Sequence, residues 1–204
     1  ERSRGLGDVY KRQLRAGERG LFEILAETNI DNFRKCGVNK IVTTSPHCYS
    51  IFKNEYPLNA AGIEVQHYTQ FLANLIDQGK LKFSKTINKL VTYHDPCFLG
   101  RHNGIYDDPR KILESIPGLT FVEMDRIKEN SFCCGGGGAM MWMETKTSDE
   151  RASVDRVREA ISLNPDIIVT ACPWCVLNLE DALKVIGKED IRVLDIAELV
   201  KEAL

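Results

Sequence analysis

The chain lacks any run approaching the roughly 18 apolar residues that a membrane-spanning helix needs, so a span is excluded from its 204 residues. It also lacks an excess of either charge. Lys and Arg number 27 against 29 Asp and Glu, a net charge of −2, and such a balance carries no basic footprint for nucleic acid or an anionic membrane. Glu1 to Arg19 contains no apolar stretch of the kind a secretory signal requires. Low complexity is absent too: 43% hydrophobic and 27% charged residues are ordinary for a folded globular chain. The length allows one large domain or two small ones, with a core that needs no disulfide staples.

What the sequence does have is cysteine. There are seven, at positions 36, 48, 97, 133, 134, 172 and 175. An odd number without a secretory signal points to a reducing compartment, the cytoplasm, where clustered cysteines read as metal or redox sites rather than disulfides.

Residues 1–13 show no apolar periodicity, and Asp8-Val-Tyr-Lys-Arg-Gln13 resembles one reading frame of a transposon-end adapter used in sequencing libraries. The expectation is that this segment is non-native read-through and that the natural protein is longer. The same six residues in an independently cloned gene would overturn it.

From Leu14 the pattern alternates between helix and strand. Leu21, Phe22, Ile24 and Leu25 have helical spacing, with Ile30 and Phe33 extending it as a second short helix before a stop at Gly37. Strands are expected at 40–44, 63–67, 90–93, 119–124, 166–170 and 191–194. Helices are expected through Phe71 to Ile76, Pro109 to Ile116, Ser148 to Leu163 and Trp174 to Ile186, with a last one from Asp195. Strands separated by helices of this length predict an α/β fold built of βα repeats with mostly parallel sheets.

Two stretches repeat. Ile41-Val-Thr-Thr-Ser-Pro-His-Cys48 matches Ile168-Val-Thr-Ala-Cys-Pro-Trp-Cys175, and the segment from Ile63 matches the segment from Ile191. Chance likeness of βα units does not readily explain a shared Pro followed two residues later by a shared Cys. The reading is two related domains: residues 14–85 as the C-terminal part of a truncated first one, and 86–204 as a complete second one.

In the complete domain the cysteines fall as Cys97, Cys133-Cys134 and Cys172-x-x-Cys175. Each lies past an expected strand or in a Gly-rich loop. In a parallel α/β sheet those loops gather at one edge, where ligands bind. Thiolates left together without a cation would repel and protonate, so the arrangement calls for metal; soft thiolates select zinc, copper(I) or iron–sulfur clusters. A mononuclear zinc site uses four ligands and leaves one cysteine over, whereas a polynuclear cluster has room for all five. Gly135, Gly136 and Gly137, with Gly138, would let the backbone bend and bring N–H groups to the sulfurs. Such donors, with the helix starting at Pro173, would offset negative charge.

Cys97…Cys133-Cys134-Gly135…Cys172-Pro-Trp-Cys175 resembles the cysteine-rich CCG domain of heterodisulfide reductase B and D subunits. The same domain occurs in iron–sulfur subunits of glycolate oxidase, lactate-utilisation and anaerobic glycerol-3-phosphate dehydrogenase complexes. His94-Asp-Pro-Cys-Phe-Leu-Gly-Arg101 and the run from Cys133 to Glu144 are similar to that family's two loop signatures. The resemblance implies an oxidoreductase component in which Cys97, Cys133, Cys134, Cys172 and Cys175 hold a [4Fe-4S] cluster, noncubane in some members. It also implies redox partners: a ferredoxin-like segment, a flavoprotein, or a membrane cytochrome or quinone-reactive subunit, with attachment to the inner membrane face through them or a missing segment. Electron transfer is the leading reading; direct reduction of a disulfide substrate and a structural zinc module are the alternatives. In the first domain Ser45 stands where the pattern has Cys, which leaves Cys48 a remnant or a weak ligand.

Other residues receive plainer readings. Cys36 is expected to be a buried structural thiol. Asp95 is expected to cap or orient the Cys97 loop, and His47, His67 and His94 to be satisfied structural groups. Arg101 and His102 are candidates for a partner or an anionic substrate. Met140, Met141, Trp142 and Met143 are expected to shield the site or pack in the core, and Glu144 to Arg158 to form a solvated helix face.

Overall fold

The computed structural model describes residues 14, 16–137 and 151–204. The proposed read-through segment 1–13, Gly138, the Met140–Met143 group and the start of the charged stretch lie outside them. The described chain divides into two compact units, one up to Phe71 and one from Leu72. Among the described residues no helix is long and apolar enough to cross a membrane.

In the first unit, α1 (Arg19–Lys35) buries Phe22, Ala26 and Ile30, a stripe with a spacing of four that puts all three on one face. It is a single helix rather than two. Asn29 and Asp31 do not interrupt it, and Asn29 donates to the hydroxyl of the buried Tyr56 at 3.1 Å. Gly37 ends it with φ +65°, and Val38 N–H closes back on Phe33 O at 2.9 Å, a left-handed helix stop. Cys36, expected to be buried, is exposed: it follows the last helical residue, on the turn rather than on the apolar stripe.

β1 (Lys40–Thr43) leads into α2 (Pro46–Asn54), and β2 (Glu64–His67) pairs parallel with β1. α3 (Tyr68–Asp77) follows directly. Ser45 caps α2 by accepting from His47 N–H, and Pro46 occupies the first turn, where no N–H is needed.

The second unit carries β3 (Lys89–His94), α4 (Asp107–Ser115), β4 (Leu119–Phe121), a short 3₁₀ turn (Lys128–Asn130), α5 (Ala152–Ile161), β5 (Ile167–Thr170), α6 (Pro173–Val185), β6 (Arg192–Asp195) and α7 (Ile196–Ala203). The strand order is β4-β3-β5-β6 and every pairing is parallel. β5 is buried at all four residues, which is why it reads as an unbroken apolar run rather than an alternation. β4 is shorter than its sequence pattern because Glu123 turns away to Arg110 at 2.5 Å, while Met124 enters the core. The chain leaves β3 in opposite directions through β4 and β5, so the carboxyl ends of β3 and β5 form the crevice at which α/β sheets bind ligands.

The two units are repeat-like α/β parts down to the register. Ile41 pairs with Val65, and their counterparts Ile168 and Val193 pair in the same way. Gln70 accepts from His67 N–H at 3.2 Å, as Glu198 accepts from Asp195 N–H at 2.9 Å.

Candidate metal centre

Three loops reach the crevice. Cys97 follows β3 by three residues; Cys172 follows β5 by two and stands at the N-cap of α6, with Cys175 inside its first turn. Cys133 and Cys134 arrive on the long connection after β4. The structure brings all five thiols together. Cys97 and Cys133 are hydrogen-bonded, as are Cys133 and Cys134, and Cys175 with Cys172. Cys175 Sγ lies 3.3 Å from Cys134 Sγ. Cys134, Cys172 and Cys175 are buried, and Cys97 and Cys133 are half-buried, so one side of the group faces the apolar core and the other opens outward. No disulfide joins any of the seven cysteines.

Among the five thiols, Cys133 is the one drawn towards the thiolate. Donation from Cys134 and Cys97, with the Gly135 N–H at 3.3 Å, pulls its thiol down to about 2 against the opposing effect of burial. The cost falls on its neighbours. Hydrogen bonding to Cys133 raises Cys97 and pushes Cys134 up to about 12, and donation to Cys134 and Cys172 raises Cys175 well above the usual thiol range. Packed this closely, the five sulfurs cannot all be thiolates unless a cation lies among them. Zinc or an iron–sulfur cluster would satisfy that requirement.

The glycine run is placed by need. Gly135 has φ +73°, a conformation in which a side chain is strained. A Cβ on Gly136 would stand 3.2 Å from Asn178 Nδ2 and 3.3 Å from Trp174 O, so the loop lies tight against α6. Gly136 N–H reaches Cys134 Sγ at 3.4 Å. Gly137 has open space where a Cβ would be. Asn178, one turn beyond Cys175, donates to Cys134 O at 2.5 Å and is buried. Nothing in the motif spacing singles it out; the one signal is an amide on an apolar helix one turn from a site cysteine.

Buried arginines tie the loops together. Arg110 grips Asp95 through two N–H groups at 2.8 and 2.9 Å and also bonds Glu123. Burial works against its charge, but these hydrogen bonds outweigh it and keep the guanidinium charged. Asp95 also accepts from Lys128 N–H at 2.9 Å, so its carboxylate orients the approach to Cys133 rather than the Cys97 loop. Arg101 closes the same gap from the Cys97 side, donating to Ser131 O at 2.6 Å, and His102 stacks on Phe98 at 4.3 Å. Both residues considered for a partner or an anion are thus engaged within the site's own loops.

His94 is buried at the end of β3; a ring nitrogen lies with Cys134 Sγ and Cys175 Sγ, all within 4.8 Å of one another. Burial drives its pKa down to about 3, with Arg156 adding to the effect. Arg156 belongs to the stretch read as a solvated face, yet it is 0% exposed. It turns inward because Glu159, Arg126 O and His94 all offer acceptors there. In the first unit Cys48 is half-buried on α2, and His67 is buried against Thr69, with Nδ1 and the hydroxyl oxygen 2.8 Å apart.

A parallel α/β sheet whose switch-point loops gather five cysteines defines a thiolate-site protein, and the sequence comparison narrows the class. The profile of the cysteine-rich domain family, CCG, matches residues 12–53 and 91–180, once in each unit. The chain belongs to that family. Among relatives, the "Probable iron-sulfur-binding oxidoreductase FadF" of Bacillus subtilis is 44% identical over 93% of this chain and 27% of its own length. The EtfAB:quinone oxidoreductase of Syntrophomonas wolfei is 41% identical over 93% of this chain and 28% of its own. One subunit of the dihydromethanophenazine:CoB–CoM heterodisulfide reductase of Methanosarcina barkeri is 44% identical over 88% of this chain and 44% of its own. The chain therefore spans between about a quarter and a half of these relatives.

Proposed function

We propose that this chain is the iron–sulfur electron-transfer part of a larger oxidoreductase, with Cys97, Cys133, Cys134, Cys172 and Cys175 as ligands to one [4Fe-4S] cluster. The observation that carries the reading is the continuous set of five thiols at the switch point, more than a single zinc ion needs. The name of the Bacillus subtilis relative, an iron–sulfur-binding oxidoreductase, supports iron and sulfur over zinc. Bound there, the cluster would supply one-electron redox chemistry at a potential set by charge, burial and hydrogen bonds to sulfur.

The chain's own residues have separable tasks. Cys134, Cys172 and Cys175 would hold the buried side of the cluster and exclude water from it. Cys97 and Cys133 would hold the half-buried side, through which an electron enters or leaves. Gly135 and Gly136 would offset thiolate charge through their N–H groups. A five-thiolate set suits a noncubane cluster, which we propose as the finer reading.

The repeat boundaries we propose, residues 14–85 and 86–204, follow the sequence repeat. Partners would be other redox subunits, flavoprotein or quinone-reactive, in a reducing compartment such as the cytoplasm, which suits seven cysteines without disulfides. The test is iron, zinc and acid-labile sulfide content after anaerobic reconstitution, with electron paramagnetic resonance on the same sample. Matched iron and sulfide with a signal that follows redox titration is the expected outcome. Zinc without sulfide would replace it with the structural-module reading.

A further inference from the structure

By proximity alone His94 looks like a sixth ligand, since a ring nitrogen and the sulfurs of Cys134 and Cys175 all lie within 4.8 Å of one another. The other edge of the ring argues against this. Arg156 Nε–H donates to His94 Nδ1 at 3.1 Å. A guanidinium has only donors, so Nδ1 must present its lone pair, and a neutral imidazole then carries its proton on Nε2. Histidines that bind metal use the opposite arrangement: the distal nitrogen donates to a carboxylate, carbonyl or water, leaving the proximal one bare. With Nδ1 taken by Arg156, Nε2 is the nitrogen left for the sulfurs. It is buried and has no hydrogen-bond partner among the described residues. Arg156 is itself held by Arg126 O at 2.9 Å and Glu159 at 2.8 Å, so it keeps its place.

Building on the iron–sulfur reading, we propose that His94 is an N–H donor to sulfur of the cluster held here and not a ligand, with Arg156 as the positioning residue that fixes its tautomer. A donor to thiolate or cluster sulfur favours the more negative, reduced state and raises the reduction potential. Losing it should shift the reduction equilibrium about tenfold, or about 59 mV for one electron.

The test uses the 204-residue chain carrying ¹⁵N-histidine, reconstituted anaerobically and examined by pulsed paramagnetic resonance and redox titration. The expected result is an exchangeable proton coupled to the cluster, no directly bonded nitrogen, and a lower potential in His94→Phe that His94→Gln partly restores. Arg156→Met should lower the potential while iron content stays constant. A directly bonded nitrogen, or an unchanged potential in His94→Phe at full iron and sulfide, would overturn the proposal. Should His94→Phe fail to hold iron, the nitrogen coupling of the unsubstituted chain decides. If the chain takes up zinc and no sulfide, the cluster reading falls and His94 is judged separately, by ¹H–¹⁵N correlation of the zinc-loaded protein. A proton on Nε2 then sustains the donor assignment, and zinc on Nε2 or a proton on Nδ1 removes it.

Discussion

Cys133 and Cys36 are both cysteines in loops, yet their surroundings set opposite expectations. Cys133 is drawn towards the thiolate by two thiols and a backbone N–H, whereas Cys36 is exposed on a turn. Cys133→Ser or Cys134→Ser should abolish normal cluster assembly, and Cys36→Ser should leave iron and sulfide unchanged; equal iron in all three variants would contradict the assignment. Arg110 offers a second residue-level test. It is the buried counter-charge of Asp95, with side-chain exposures of 9% and 3%. Arg110→Met strands that carboxylate and should cost about 3–5 kcal/mol in urea unfolding, part of it recovered when Asp95→Asn is added. These arginines were not legible in the sequence. Arg110 and Arg156 sit among charged residues whose pattern reads as solvent-facing, and only the folded chain shows acceptors inside. The cysteines were legible, because five thiols at strand ends have few uses without a cation.

The helix entries tell of a trade made between two copies of one element. Ser45 caps α2, while Cys172, its counterpart, stands at the N-cap of α6 without a side-chain capping bond. Ser45→Ala should therefore cost the first unit about 0.5–2 kcal/mol, read from thermal or denaturant unfolding. Cys172→Ser should restore a cap, and with it some metal-free stability, while losing iron. A variant that gained neither stability nor lost metal would break the comparison. Element existence and order followed closely from periodicity. The deviations have local causes: β4 ends early because Glu123 is drawn to Arg110, and α1 is continuous because its apolar stripe of Phe22, Ala26 and Ile30 runs unbroken past the polar residues at 29 and 31.

At the scale of the whole molecule, the units should respond differently to metal and to acid. One cluster's worth of iron per chain, not two, is expected, since Ser45 stands in the first unit where the second has Cys172. His67 is 0% exposed there, and burial lowers its pKa from 6.5 to about 3, against a smaller opposing effect from the Thr44 backbone. The unfolded chain thus binds a proton that the folded unit refuses. Stability is complete above about pH 6.5 and is lost as pH falls towards 3, at up to about 1.4 kcal/mol per pH unit. Urea midpoints followed through the Tyr49 and Tyr68 ring resonances should fall between pH 6.5 and 5, and His67→Phe should flatten that slope. The repeat that frames these expectations was visible in the sequence through the shared Pro and Cys, and it persists in the strand register. The closing contacts of the site were not visible, because they join residues far apart in the chain.

The bond from Lys128 N–H to Asp95, with the Arg101 clamp on Ser131 O, bears on how the site is loaded. The loop bearing Cys133 and Cys134 is anchored by groups of the protein itself, not only by its cysteines. If those anchors suffice, the receptacle should survive removal of its cargo: chelation of iron should leave the backbone amide signals of the Lys128–Ser131 turn in place, and iron and sulfide should be taken up again without a denaturation step, entering from the half-buried side at Cys97 and Cys133.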